Sequence, residues 1–122
     1  MQDYNHVELR GTIASEPTFR DTRNNSRMAG FTVVVKRKAP SSAKDYLDVI
    51  AWGDTASAME GMFFQGDPVE LSGYVRKQFY VDDKGERKNR CQIIAERVFR
   101  PAEDIGSVPP DIVSGQFGEA AV

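Results

Sequence analysis

The stretch DYLDVIAWGD, residues 45 to 54, sets Tyr46 and the chain's single tryptophan, Trp52, six positions apart. In a β-strand alternate side chains share a face, so Tyr46, Asp48, Ile50 and Trp52 line one side and Leu47, Val49 and Ala51 the other. The second set is small, apolar and suited to a core. The first offers two flat aromatic rings with a carboxylate between them, a face whose natural chemistry is stacking on planar groups. Covalent chemistry has no comparable candidate. There is no G-x-x-x-x-G-K-[ST], no H-E-x-x-H, no C-x-x-C and no nucleophile elbow, and the carboxylates are scattered over turns and polar strand faces. One cysteine, Cys91, excludes an internal disulfide, and with a single histidine, His6, a structural metal is not expected. The expectation is a binding protein with no catalytic residue and no cofactor.

Positioning that face requires a sheet. HVELRGTIAS alternates Val7, Leu9, Gly11 and Ile13 against Glu8, Arg10 and Thr12, a half-buried strand with a glycine where it must bend. EPTFRDTRNNSR reads as turn chemistry, MAGFTVVVKRK as a β-branched second strand, APSSAK as a loop and DYLDVIAWG as the third strand. DTASAMEGMFF predicts a short helix, N-capped by Asp54 or Thr55, with Ala56, Met59 and Phe63 on its buried side. VELSGYVRKQFYV is a fourth strand with Val69, Leu71, Gly73 and Val75 on one side; DDKG turns it into a fifth, RCQIIAERVFR, where Cys91 is expected as a small buried hydrophobe. Five short strands cannot bury both faces of an open sheet and leave edges prone to aggregation. Curling into a barrel answers both, with Gly11 and Gly73 at the bends and the helix plugging one end. The predicted class is all-β, a five-stranded OB-type barrel with one helix between its third and fourth strands.

Composition bounds the partners. The net charge of −2 conceals an asymmetry: all 16 Lys and Arg fall within residues 1 to 100 against 14 acidic groups, whereas residues 101 to 122 hold Glu103, Asp104, Asp111 and Glu119 and no base. The expected organisation is a mildly basic folded domain over residues 1–101 and an acidic, disordered tail over 102–122. The start MQDYNHVELR is not a signal peptide, and no apolar run approaches the roughly 20 residues of a membrane span. A reducing, cytoplasmic setting is expected.

Together NHVELRGTIASEPTFR, FTVVV, DYLDVIAWGDTA, GDPVELSGYVRKQFY and DDKGER resemble, in order and spacing, the bacterial single-stranded DNA-binding protein family over roughly residues 5 to 100. The resemblance implies an OB fold, a homotetramer built as a dimer of dimers, and sequence-independent binding of single-stranded DNA in replication, recombination and repair, at the nucleoid and without catalysis. Every base has a π-face, so exposed aromatics stack any base at roughly 1–3 kcal/mol each. Carried over to this sequence, Tyr46 matches the aromatic that begins the strand-three motif, Trp52 the aromatic before its glycine, and Tyr80 that of the strand four–five hairpin. Arg20 matches the arginine of the E-P-x-x-R turn. Lys36, Arg37, Lys38, Arg76 and Lys77 are the further phosphate contacts expected beside these rings. Of the adjacent Phe79 and Tyr80, which must face opposite ways, Tyr80 is expected to be exposed and Phe79 to pack in the core or hairpin.

Three departures bear on the function. The loop KRKAPSSAK is shorter than is usual in the family and lacks an aromatic, which shifts the expected balance from stacking towards electrostatics. Asp48 stands where the family commonly has a positive or polar residue, and would repel phosphate unless Arg20 or Arg76 pairs with it. The chain ends QFGEAAV and not in the Pro-Phe tip that docks replication and repair proteins, so either that tip is missing or divergent or the chain has been cut short of it. Two other readings stay open: an OB module binding protein or RNA in a primosome or mobile-element complex, and a structural oligomer indifferent to nucleic acid. Burial of Tyr46, Trp52 and Tyr80 in a subunit interface would favour the first.

Overall fold

The computed structural model describes residues 1–101. The strands are β1 (Val7–Ile13), β2 (Thr18–Asp21), β3 (Arg27–Lys36), β4 (Lys44–Trp52), β5 (Pro68–Val81) and β6 (Arg87–Phe99), with one helix, α1 (Gly53–Met59), between β4 and β5. β1 pairs antiparallel with β5, β5 with β6, β6 parallel with β4, β4 antiparallel with β3, and β3 returns to β1 through Thr12–Val34 and Ile13–Val33. Five long strands thus close into a barrel, as the alternation predicts. The acidic tail expected over residues 102–122 lies outside the described residues.

The core is the inward half of each alternating strand. Ile13, Ala29, Phe31, Val33, Val49, Ala51, Val69, Leu71, Ile93 and Ala95 are buried, and Ala56, Met59 and Phe63 close one end. Arg100 fastens that end: its guanidinium lies 5.1 Å from the Phe63 ring centroid, donates to the Met62 carbonyl at 2.8 Å and pairs with Asp67 at 3.7 Å. Gly11 and Gly73 sit where neighbouring strands approach too closely for a side chain. A Cβ at Gly11 would collide with the carbonyl oxygen of Val34, and one at Gly73 with that of Ile94, beside a bulge between Ser72 and Gly73.

Four sequence expectations are corrected. Thr18–Asp21, read as turn, is the extra strand β2 on the edge of β3. It is held there by Phe19, which packs against the core, and by Arg27, which bridges Asp21 (3.1 Å) and Glu60 (2.5 Å) and raises its own pKa through those hydrogen bonds, Glu60's foremost. The turn proper is shorter: Thr22 N–H donates to the Ser26 carbonyl, and Asn25 adopts the left-handed conformation (φ 63°) that asparagine tolerates. The helix is capped by neither Asp54 nor Thr55. Trp52 occupies the N-cap with no side-chain hydrogen bond, and the Thr55 hydroxyl donates to the Glu96 carbonyl. Val75 and Cys91 are exposed, because β5 leaves β1 after Gly73 and β6 joins β4 only from Ile93. Between those limits the two strands pair only with each other, and beyond Gln92 their paired ends form an arm largely open to solvent.

Candidate nucleic-acid interface

Cross-strand partners share a face, so the register lays out the barrel's outer surface. On β4, Tyr46, Asp48, Ile50 and Trp52 point outward while Leu47, Val49 and Ala51 point in, the division predicted from their period. Tyr46 is 65% exposed and Trp52 38%. Across β3 lie Val34, Thr32, Gly30 and Met28, and on β2 Arg20 pairs with Met28. Arg20, Met28 and Trp52 therefore make one row. Lys36 pairs with Lys44 at the other end, which puts two ammonium groups on the face and end occupied by Tyr46.

On the opposite flank Ile50 pairs with Ile94, so the outward set continues through Gln92, Arg90 and Lys88 of β6 and their partners Arg76, Gln78 and Tyr80 of β5. The arm thus carries Tyr80 and Arg76 on the face of Tyr46 and Trp52. The Arg90 guanidinium lies 5.3 Å from the Tyr80 ring centroid, against one side of the ring. Lys77 is not brought to this face; it lies on the reverse of the arm with its ammonium 5.9 Å from the Phe79 ring. Phe79 itself corrects the expectation. It does face away from Tyr80, but it packs in no core, and at 67% exposed it is the more open of the two (Tyr80, 41%).

The electrostatics divide the basic residues. Arg37 donates from both Nε (3.2 Å) and Nη2 (2.8 Å) to the Asp45 carboxylate. That fork raises the arginine's pKa and holds Asp45 below its ordinary value, in each case through the mutual hydrogen bond first. Among the described residues Arg37 is therefore the one predicted contact whose charge is already matched. Neither Arg20 nor Arg76 pairs with Asp48. Among the described residues that carboxylate meets only the Thr32 hydroxyl, which donates at 3.5 Å, and it lines a shallow groove with Thr18, Thr32, Ile50, Arg90 and Gln92. Gln92 and Arg90 were missed by sequence reasoning. Their signal was the alternation of RCQIIA, which places a glutamine amid apolar residues on the side shared with Ile94.

The model described as "Single-strand binding protein family" matches residues 4–100. The chain is 28% identical over 107 residues to the single-stranded DNA-binding protein of Mycoplasma pneumoniae, an alignment covering 82% of this chain and 63% of that protein, so it spans less than two-thirds of that relative. It is 25% identical over 117 residues to a thylakoid-associated single-stranded DNA-binding protein of Synechocystis, covering 95% of this chain and 91% of the other. Single-stranded DNA-binding protein 1 of Clostridium acetobutylicum is 28% identical over 100 residues, covering 77% and 90%.

Proposed function

The chain belongs to the single-strand binding protein family, and we propose that it binds single-stranded DNA on the barrel's outer face, without reading overall sequence and without catalysis. The observation carrying this reading is the single outward file Tyr46–Asp48–Ile50–Trp52, with Tyr80 on the same face of the adjoining arm. In it, Trp52, Tyr46 and Tyr80 stack on bases, and Arg20, Lys36, Lys38 and Arg76 hold phosphates, with Lys77 reached only by a strand that wraps the arm. Arg37 contributes less than its neighbours because Asp45 already neutralises it. A role in protecting single strands during replication, recombination and repair follows from that activity.

The same proposal includes the family's tetramer, assembled through β1. β1 pairs with β5 from Val7 to Thr12 but with β3 only at Thr12 and Ile13, so among the described residues no strand lies beside the β3-side edge of Val7–Gly11. No helix among the described residues is long and apolar enough to cross a membrane.

The test is titration with oligo(dT) over a range of salt. Affinity should fall with a log–log slope of about −0.7 per phosphate neutralised, and duplex DNA of equal length should bind far more weakly. Equal affinity for duplex, or affinity indifferent to salt, would sink the proposal.

A further inference from the structure

We propose that Asp48 and Gln92 form a base-edge subsite that favours a base carrying an exocyclic amino group over thymine. The inference rests on the reading of the outer face as the single-strand interface and sharpens it: the stacking rings ignore base identity, and this subsite does not.

Three observations lead there. Asp48 stands between Tyr46 and Trp52 on the outward file, next to Tyr46, exposed, unpaired by any cation among the described residues and hydrogen-bonded only by the Thr32 hydroxyl at 3.5 Å. Gln92 extends the row. Ile50 pairs with Ile94 in parallel register, so two residues earlier Gln92 of β6 comes beside Asp48 of β4, and both line one groove. Gln92 is only 6% exposed, yet its amide makes no hydrogen bond to any described residue. Buried amides without partners are uncommon and costly, since two donors and an acceptor have been removed from water with nothing in exchange.

The donor and acceptor inventory then selects the ligand. A carboxylate only accepts, so it needs N–H groups from a base edge, and an amide can supply the complementary donor. Cytosine offers its N4 amino group beside the N3 and O2 acceptors, and a carboxylate accepting from that amino group is a recognised pairing. Adenine offers the same order of donor and acceptor, and guanine presents two adjacent N–H groups. Thymine flanks its single N–H with two carbonyl oxygens, so one of them must face the carboxylate. Bases splayed on aromatic platforms leave these edges free to be read.

The experiment compares oligo(dC) with oligo(dT) of equal length at neutral pH and fixed salt, because neither pyrimidine strand self-stacks strongly. The readout is the ratio of the two dissociation constants, Kd(dT) over Kd(dC), in the natural chain and in Asp48→Ala and Asp48→Asn. Intrinsic differences in strand flexibility and general repulsion of phosphate cancel in that comparison. The ratio should fall about fivefold in Asp48→Ala, the low end for one side-chain–base pairing because the site is open to water. In Asp48→Asn it should fall as far, since an amide can turn a donor towards thymine O4. Gln92→Met, of similar length but unable to bond, should lower the ratio in the same direction with its melting temperature kept as a check on folding. If Asp48→Ala tightens both strands equally and leaves the ratio unchanged, the carboxylate merely repels phosphate and the subsite is refuted while the interface stands. If the natural chain binds neither strand, both readings fall together.

Discussion

Replacing Trp52 by alanine tests the interface at its most measurable point. The ring is 38% exposed. For an aromatic of roughly 250 Å² that leaves about 95 Å² open, and covering it with a base at about 25 cal/mol per Å² is worth about 2 kcal/mol. This falls inside the roughly 1–3 kcal/mol measured for base–aromatic stacking. The expected loss is therefore about 30-fold in affinity for oligo(dT). The other three-fifths of the residue is covered, partly by the Met28 row across β3, so truncation also costs about 2 kcal/mol of stability and on the order of 10 °C in melting temperature. Affinity must then be measured near 20 °C, with the variant shown folded by circular dichroism. Because Trp52 is the only tryptophan, intrinsic emission gives a second readout in the natural chain: oligo(dT) should quench it strongly and duplex should not. A variant that melts early but binds oligo(dT) within twofold of the natural chain would make Trp52 a packing residue and refute the reasoning.

Lys38→Ala should lower the salt slope by about 0.7, whereas Arg37→Ala should change it by much less, because Asp45 already neutralises that guanidinium; equal slopes for the two variants would remove the distinction. Asp45 titrates below its ordinary value, so the Arg37–Asp45 pair is fully formed above the usual aspartate range and is lost as pH falls through the lowered pKa. An NMR titration should find that midpoint depressed, and Arg37→Ala should return it towards normal. Gly73→Ala should destabilise the barrel by about 3 kcal/mol, read as a lower denaturation midpoint, since the added Cβ meets the Ile94 carbonyl and backbone cannot step aside cheaply. Light scattering at micromolar concentration should show an oligomer, and a monomer there would discard assembly through β1.

The parts of this protein that sequence makes legible are those governed by a two-residue period. DYLDVIAW divides into an outward and an inward file whichever strands flank it, so the faces of Tyr46, Trp52, Val49 and Ala51 follow from spacing alone. Contacts between distant segments leave no such trace. Thr18–Asp21 reads as a turn because Pro17 and Asn24–Asn25 bracket it; only in the fold do Phe19 reaching the core and Arg27 reaching Glu60, 33 residues on, hold it as a strand. Arg37 looked like any loop base until the hairpin set Asp45 opposite Val35, two residues back, within reach of its guanidinium.

The arm shows why alternation specifies a face but not its burial. Val69, Leu71, Gly73, Val75, Lys77, Phe79 and Val81 form one continuous alternating set, yet burial stops at Gly73 and everything beyond it is open. The change comes from the neighbours: β1 ends its pairing at Gly73, and a bulge at Ser72–Gly73 redirects β5 and β6 away from the barrel at that point. The same two strands thus close the core with their inner halves and present Tyr80, Arg76 and Arg90 with their outer halves. Gly73 joins the two tasks, because only a residue without a Cβ allows the Ile94 carbonyl to approach there. A side chain at that position would force β5 from β6 and turn the arm relative to Trp52. Its effect should then appear in affinity as well as stability, and a Gly73→Ala protein that melts early but binds oligo(dT) normally at 20 °C would show that the arm's direction does not depend on the bulge.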